Sequence, residues 1–433
     1  MVIMLSFRRR FPRRLAALLL LCLLIAPPRA QAYSVLTHEQ IVDFLWDTDI
    51  KKVLLERYPA TTPDELKRAH AFAYGGCLIQ DMGYYPLGNK FFSDLVHYVR
   101  SGDFVMELIR QSQDVNELAF ALGALSHYAS DVSGHPAVNG AVGIIFPKLR
   151  ARYGNEVTYA DDPKAHIQTE FGFDVYQVYQ QRYTSEAYRQ FIGFEVAKPL
   201  LDRAFSATYG IGPKDIFSDE DRSIESYRHA VGTWIPQLTR VALVTKKKEL
   251  EATPNFNPKR FRYLLSRTDY EKNWGKNYDR PGFGARFLAF VVRILPKIGP
   301  LRALDIKPPT AETERMYVKS VEDTARMYRS LLRSTETGQL NLSDLDLDTG
   351  KPARAGEYVL TDKAYARLLR ELAKHNFANL NPQLRSNVLA FYSDLSRPIA
   401  TKKHKKEWEQ TLRDLQALKM VAPTSGTPAL GGR

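Results

Sequence analysis

His127, Asp131 and His135 stand four residues apart in the run LGALSHYASDVSGH, Leu122–His135. On a helix, that spacing projects side chains from one face, a turn apart. Two imidazoles and a carboxylate in line make a donor set that suits zinc. The bland alternative is a helix terminus with hydrogen-bonded histidines near a buried aspartate. The apolar run from Val115 predicts a helix over 115–133, broken where Gly134 and Pro136 flank His135.

Six of the nine histidines fall between His38 and His166, and acidic residues accompany five of them. Asp81 and His97 flank the aromatic segment YYPLGNKFFSD, and His166 and Glu170 form another pair four residues apart on a helical stretch. His38 lies shortly after Tyr33, the expected mature N-terminus. Each element alone is a weak signal; together they supply nitrogen and oxygen donors for about three metal sites. His70 has no acidic residue in step with it and is expected to be a packed core histidine.

The elements that must position these groups are helical. Apolar residues recur at helical spacing over 37–58, 63–80, 115–133 and 165–182, and alternating strand patterns are scarce, so the fold class is all-α. The predicted organisation is a leader over 1–32, a first domain over 33–250, a C-terminal helical extension over 251–420 and a disordered tail over 421–433. From Pro254 to Pro309 the composition shifts toward proline, glycine, arginine and aromatics; further amphipathic helices are expected over 311–333, 361–375, 383–395 and 402–419. Arg286–Leu301 mixes apolar and basic residues, as a core helix ended by Pro296 or a lipid-surface helix would. Asp344, Asp346, Asp348 and Gly350 mimic a calcium loop, but the glycine comes one place late and the twelfth position is not acidic. A turn with helix-capping aspartates is the expectation there. The basic run Lys402–Lys406 reads as a solvated face.

The leader combines five arginines between Arg8 and Arg14 with the apolar run Leu15–Ile25, too short to span a bilayer comfortably, and ends in Ala30-Gln31-Ala32. This predicts cleavage after Ala32 and a periplasmic or secreted destination. Ser6–Phe11 faintly resembles a twin-arginine export signal. Only Cys77 survives such cleavage, so no intramolecular disulfide is expected. A formal net charge of +13 suits an anionic partner, phospholipid headgroups or nucleic acid, and an apolar share of 44% supports a real core. No later segment is apolar enough to span a membrane, and oligomeric state is not legible.

With Thr37-His38, Gly76–Asp81, Phe92–His97, Ser126-His127, Asp131, His135, His166 and Glu170 in this order, residues 33–175 resemble the zinc-dependent phospholipase C family. That fold is shared by fungal single-strand nucleases and the catalytic domain of GPI-specific phospholipase D. The resemblance implies three zinc ions. One takes the amine and carbonyl of a processed N-terminal residue with a nearby histidine, here Tyr33 and His38. A second takes Asp81, His97 and His127, with Asp131 bridging these two ions. The third takes His135, His166 and Glu170. The family's bacterial members usually start with tryptophan, where this chain offers Tyr33. The run His-x-x-x-Asp-Val-Ser-x-His is two residues tighter between its aspartate and last histidine than in the secreted bacterial phospholipases, and is similar to the GPI-specific phospholipase D spacing.

Such a site suits phosphodiester hydrolysis. Paired zinc ions lower the pKa of a bridging water and hold phosphate oxygens, while a third stabilises the departing alkoxide. Asp131 as bridge and Asp81 as ligand and proton acceptor are the expected catalytic residues. Tyr84, Tyr85, Phe91 and Phe92 could line a headgroup pocket or simply pack a loop. The expected activity is therefore a phospholipase C cut of membrane phospholipid. Alternatives are a nuclease or D-type phospholipase on the same metals, or a non-catalytic lipid- or envelope-binding protein with structural zinc. Structural sites are closed by four protein ligands; the expected third ion has three, which favours catalysis.

Overall fold

The computed structural model describes residues 35–180, 182–183, 193–246 and 306–422. The leader, Tyr33, Arg286–Leu301 and the tail from 423 onward lie outside the described residues. Among those described, fifteen α-helices, short 3-10 and π-helical segments and one two-stranded ladder make up the regular structure, an all-α fold as the periodicity predicts. No described helix is long and apolar enough to cross a membrane.

Helix α1 (Val35–Leu45) passes through a π-helical segment, Trp46–Ile50, into α2 (Lys51–Arg57), so the helix expected over 37–58 is one rod with a widened turn. Helix α3 (Pro63–Gly76) starts from a capping box: the Thr62 hydroxyl accepts from the Glu65 amide while the Glu65 carboxylate accepts from the Thr62 amide. It stops at Gly76, short of the expected 80, and the chain turns through a 3-10 segment, Ile79–Tyr84. Helices α4 (Lys90–Tyr98) and α5 (Ser101–Gln111) follow.

The central element is α6, Val115–Ile145, whose first amides are capped by Asp114. Here the break expected at Gly134 and Pro136 does not occur. Proline removes one helical N–H and frees the carbonyl four residues back, that of Val132. Beyond it the helix is held by its apolar face, where Val138 and Val142 pack with Val157 and Ala165. The freed Val132 carbonyl is covered by Gly350, which adopts φ +67 and whose hypothetical Cβ would lie 2.9 Å from that oxygen. Burial therefore outweighs the loss of one hydrogen bond.

Then come α7 (Pro147–Tyr153), α8 (Pro163–Tyr179, capped by Asp162), α9 (Lys198–Tyr209), α10 (Glu220–His229) and α11 (Ile235–Thr245). After residue 306 the chain forms α12 (Ala311–Glu336), the ladder β1 (Leu345–Asp346) with β2 (Lys351–Pro352), and helices α13 (Val359–Lys374), α14 (Pro382–Phe391) and α15 (Lys405–Met420). Helices α3 and α12 both pack against α6. The Tyr328 hydroxyl of α12 donates to the Leu122 carbonyl at 2.9 Å. Leu118, Leu122 and Leu125 share one hydrophobic core with Tyr317, Val321, Leu368 and Leu372. The helices before residue 250 and those after 306 are thus packed around common apolar side chains. His70 is buried and sandwiched between Trp46 and Tyr74, with Asp43 at 3.2 Å, so it is a core histidine whose acidic partner comes from another helix.

Candidate metal centre

Because α6 continues past Pro136, His127, Asp131, His135 and Asn139 form one ladder of i, i+4 positions, all buried. Around it, α1 presents His38, the 3-10 segment Asp81, α4 His97, and α8 His166 and Glu170. The first turn of α1 is fixed by Asp174 of α8, which accepts from the Leu36 amide at 2.9 Å and the Thr37 hydroxyl at 2.6 Å. All eight described residues expected to bind metal are buried and come together. Tyr33 alone is outside the described chain.

Asp131 is the hub. The Nε2 atoms of His127, His97, His38 and His135 stand 3.0, 3.4, 3.6 and 3.7 Å from its carboxylate oxygens. His97 Nε2 also lies 3.5 Å from Asp81 and 3.3 Å from His127 Nε2. The other nitrogens of these two rings are committed: Nδ1 of His97 faces the Ser93 carbonyl at 2.8 Å, and Nδ1 of His127 the Cys77 carbonyl at 2.9 Å. A carbonyl only accepts, so each Nδ1 carries hydrogen and each neutral ring turns its Nε2 lone pair inward. Two lone pairs 3.3 Å apart, beside two carboxylates, form a donor set that a metal cation would hold together. Ligands 2.0–2.1 Å from a tetrahedral zinc lie about 3.3 Å apart. The site fits zinc.

A second cluster joins His135, His166 and Glu170. His166 Nε2 is 2.8 Å from the Asn139 Oδ1 atom, while the Asn139 amide nitrogen donates to the Asp348 carbonyl at 2.9 Å. Asn139 therefore accepts from His166 Nε2–H, leaving Nδ1 with its lone pair facing Glu170 at 2.7 Å. Asn139 went unnoticed in the sequence because the helix was expected to end before it; on a continuous helix its place one turn after His135 was the available signal.

The electrostatics follow from burial. Burial pushes the Asp81 carboxyl up to about 6 and the Glu170 carboxyl well above its ordinary value. It holds the His38 and His166 imidazoles well below theirs. Burial acts the same way on His97, His127 and His135, but neighbouring carboxylates outweigh it and raise all three. For Asp131 burial opposes ionisation, yet the imidazoles of His127 and His135 keep it well below the usual carboxylate range. A carboxylate that stays charged among basic imidazoles is a strong acceptor for cations.

The aromatic residues between Asp81 and His97 divide. The Tyr84 ring lies beside His97, with centroids 5.9 Å apart, and its buried hydroxyl has no partner among the described residues. Phe92 stacks on Phe205 in the core, Tyr85 packs on Tyr227, and Phe91 lies under Arg367. Cys77 is buried and unpaired by any disulfide. The Asp344–Asp348 turn does cap a neighbour, since Asp344 accepts from the Asp103 amide at 3.0 Å. It also does what the sequence did not announce: Asp348 reaches the centre, 3.6 Å from His135 Nε2.

The family model described as zinc dependent phospholipase C matches residues 37–218, running beyond the stretch in which the sequence motifs lie. No curated protein and no solved structure matches the chain.

Proposed function

From residues 37–218, which match the zinc dependent phospholipase C family model, we infer that the chain is an exported phosphodiesterase cleaving phospholipids by the C-type cut that leaves diacylglycerol. The observation that carries this reading is the convergence of His38, His97, His127 and His135 on one buried carboxylate, Asp131, with Asp81 beside His97. In this reading His38 and Asp131 hold one ion; Asp81, His97, His127 and Asp131 hold a second; His135, His166 and Glu170 hold a third. Zinc bound there supplies the Lewis acidity that ionises water at neutral pH and neutralises charge on phosphate oxygens. The chain's own groups fix ring orientation through the Ser93 and Cys77 carbonyls, keep the donors out of bulk water, and offer Asp81 as an acceptor for a proton.

The remaining ligands of the His38 ion are the amine and carbonyl of Tyr33, freed by cleavage after Ala32. Asp174 pins the first turn of α1, which begins at Val35, three residues before His38. Adding a few residues before Tyr33 is expected to lower bound zinc relative to the chain starting at Tyr33. Equal zinc content, measured by elemental mass spectrometry, rules out the amine as a ligand.

Activity is tested by incubating the zinc-loaded chain from Tyr33 with mixed phospholipid vesicles and single-stranded DNA together, then identifying products by mass spectrometry. Diacylglycerol with phosphorylated headgroup is the expected result. Phosphatidic acid would reassign the cut to the D type, nucleotides would make the protein a nuclease, and no product with zinc bound would favour a zinc-stabilised binding protein.

A further inference from the structure

Asp348 lies 130 positions beyond the end of the segment that matches the family, on the turn between β1 and β2. Yet its carboxylate is fully buried at the metal centre. One oxygen, Oδ2, accepts from the Tyr98 hydroxyl at 2.8 Å and the Tyr358 hydroxyl at 2.5 Å. The other, Oδ1, has no hydrogen-bond partner among the described residues and points at His135 Nε2, 3.6 Å away, a nitrogen equally without one.

The backbone of this turn is tied to the centre as well. The Leu347 amide donates to the carbonyl of His97 at 3.1 Å, and the Asp348 carbonyl accepts from Asn139, the residue that orients His166. Gly350 packs on the carbonyl that Pro136 frees in α6. A loop serving only as a connector has no reason to bury an ionisable side chain, because an uncompensated buried carboxylate costs several kcal/mol. Two hydroxyls satisfy one oxygen; the other faces His135 Nε2, where a metal cation would compensate its charge.

We propose that Asp348 is a metal ligand supplied by the C-terminal region, its Oδ1 binding the ion held by His135, His166 and Glu170. The 3.6 Å separation from His135 Nε2 is close to the roughly 3.3 Å between neighbouring ligands on tetrahedral zinc. That ion then has four protein ligands, the closed set of a structural site, so the handling of water and phosphate falls to the pair around Asp131. The C-terminal helices acquire a role: they hold Tyr358 and the β1–β2 turn in place, so that the metal centre is complete only when the whole chain has folded.

This rests on the zinc reading of the same centre, and the test separates the two. Asp348→Asn keeps the volume and an oxygen for the tyrosine hydroxyls but presents no carboxylate to the ion. Zinc binding to the full mature chain, titrated against a competing chelator, is expected to weaken at least about tenfold for one ion in Asp348→Asn, the scale on which supporting groups of metal sites act. Unchanged zinc affinity in a folded Asp348→Asn chain overturns the proposal. Asp131→Asn, measured alongside, reports on the centre itself: if it too leaves zinc binding untouched, the zinc reading fails with it, whereas loss in Asp131→Asn alone removes only the role of Asp348. Should Asp348→Asn not fold, hydrogen exchange of the unmodified chain decides. Amides of 346–350 are expected to exchange more slowly when zinc is added, and exchange unaffected by zinc refutes the ligand.

Discussion

An Asp131→Asn chain is expected to lose the proposed phosphodiesterase turnover by about a hundred- to a thousandfold, the scale set by removing one group that stabilises developing charge in a buried site. The reason is in the contacts. Four imidazoles surround this carboxylate, and its oxygens have no hydrogen-bond partner among the described residues. Asparagine keeps the shape but replaces an anionic oxygen with an NH2 group, which cannot ligate and which places donors against inward-facing rings. Bound zinc is expected to fall together with turnover, while circular dichroism shows the helices retained. Full activity with full zinc content in this variant would sink the model of two ions sharing Asp131.

Gly123→Ala destabilises the chain by about 3 kcal/mol, the upper part of the range for forcing atoms into a packed interior. Helices α3 and α6 touch backbone to backbone through reciprocal glycines. A Cβ on Gly123 would lie 2.1 Å from the Ala73 carbonyl oxygen, and one on Gly76 would lie 2.0 Å from that of Phe120. Neither obstacle is a flexible side chain, so the helices must separate. Separation also moves the Cys77 carbonyl away from His127 Nδ1, so zinc binding should weaken with stability. Gly140→Ala is the control on the same helix. Its Cβ would meet only the terminal methyl of Met316, at 2.8 Å, and alanine is favoured over glycine in a helix by about 1 kcal/mol. It should be neutral or mildly stabilising. Urea unfolding of both variants checks the contrast, and a Gly123→Ala chain as stable as the parent would refute the close α3–α6 contact.

The sequence by itself determined the all-α class and the inner geometry of each helix. The steps His127–Asp131–His135 and His166–Glu170 were readable because helical spacing is a local property: four residues bring side chains to one face whatever the rest of the chain does. Proline 136 misled for the same reason. Its local cost was visible, but the apolar packing of Val138 and Val142 and the cover from Gly350 that outweigh it come from elsewhere. The break assumed there hid Asn139. Which clusters the donors form, with Asp131 between four rings, was decided by how α1, α3, α4, α6 and α8 pack. Asp348 marks the limit most clearly. It is bonded through its carbonyl to a residue 209 positions earlier, and no spacing rule reaches so far. Its surroundings in sequence read as a turn rich in aspartates, one of which became a neighbour of His135 only because α12 and α13 share the core of α6. Periodicity sets which way a side chain points from its own helix; only the burial of common apolar surface sets what it meets there.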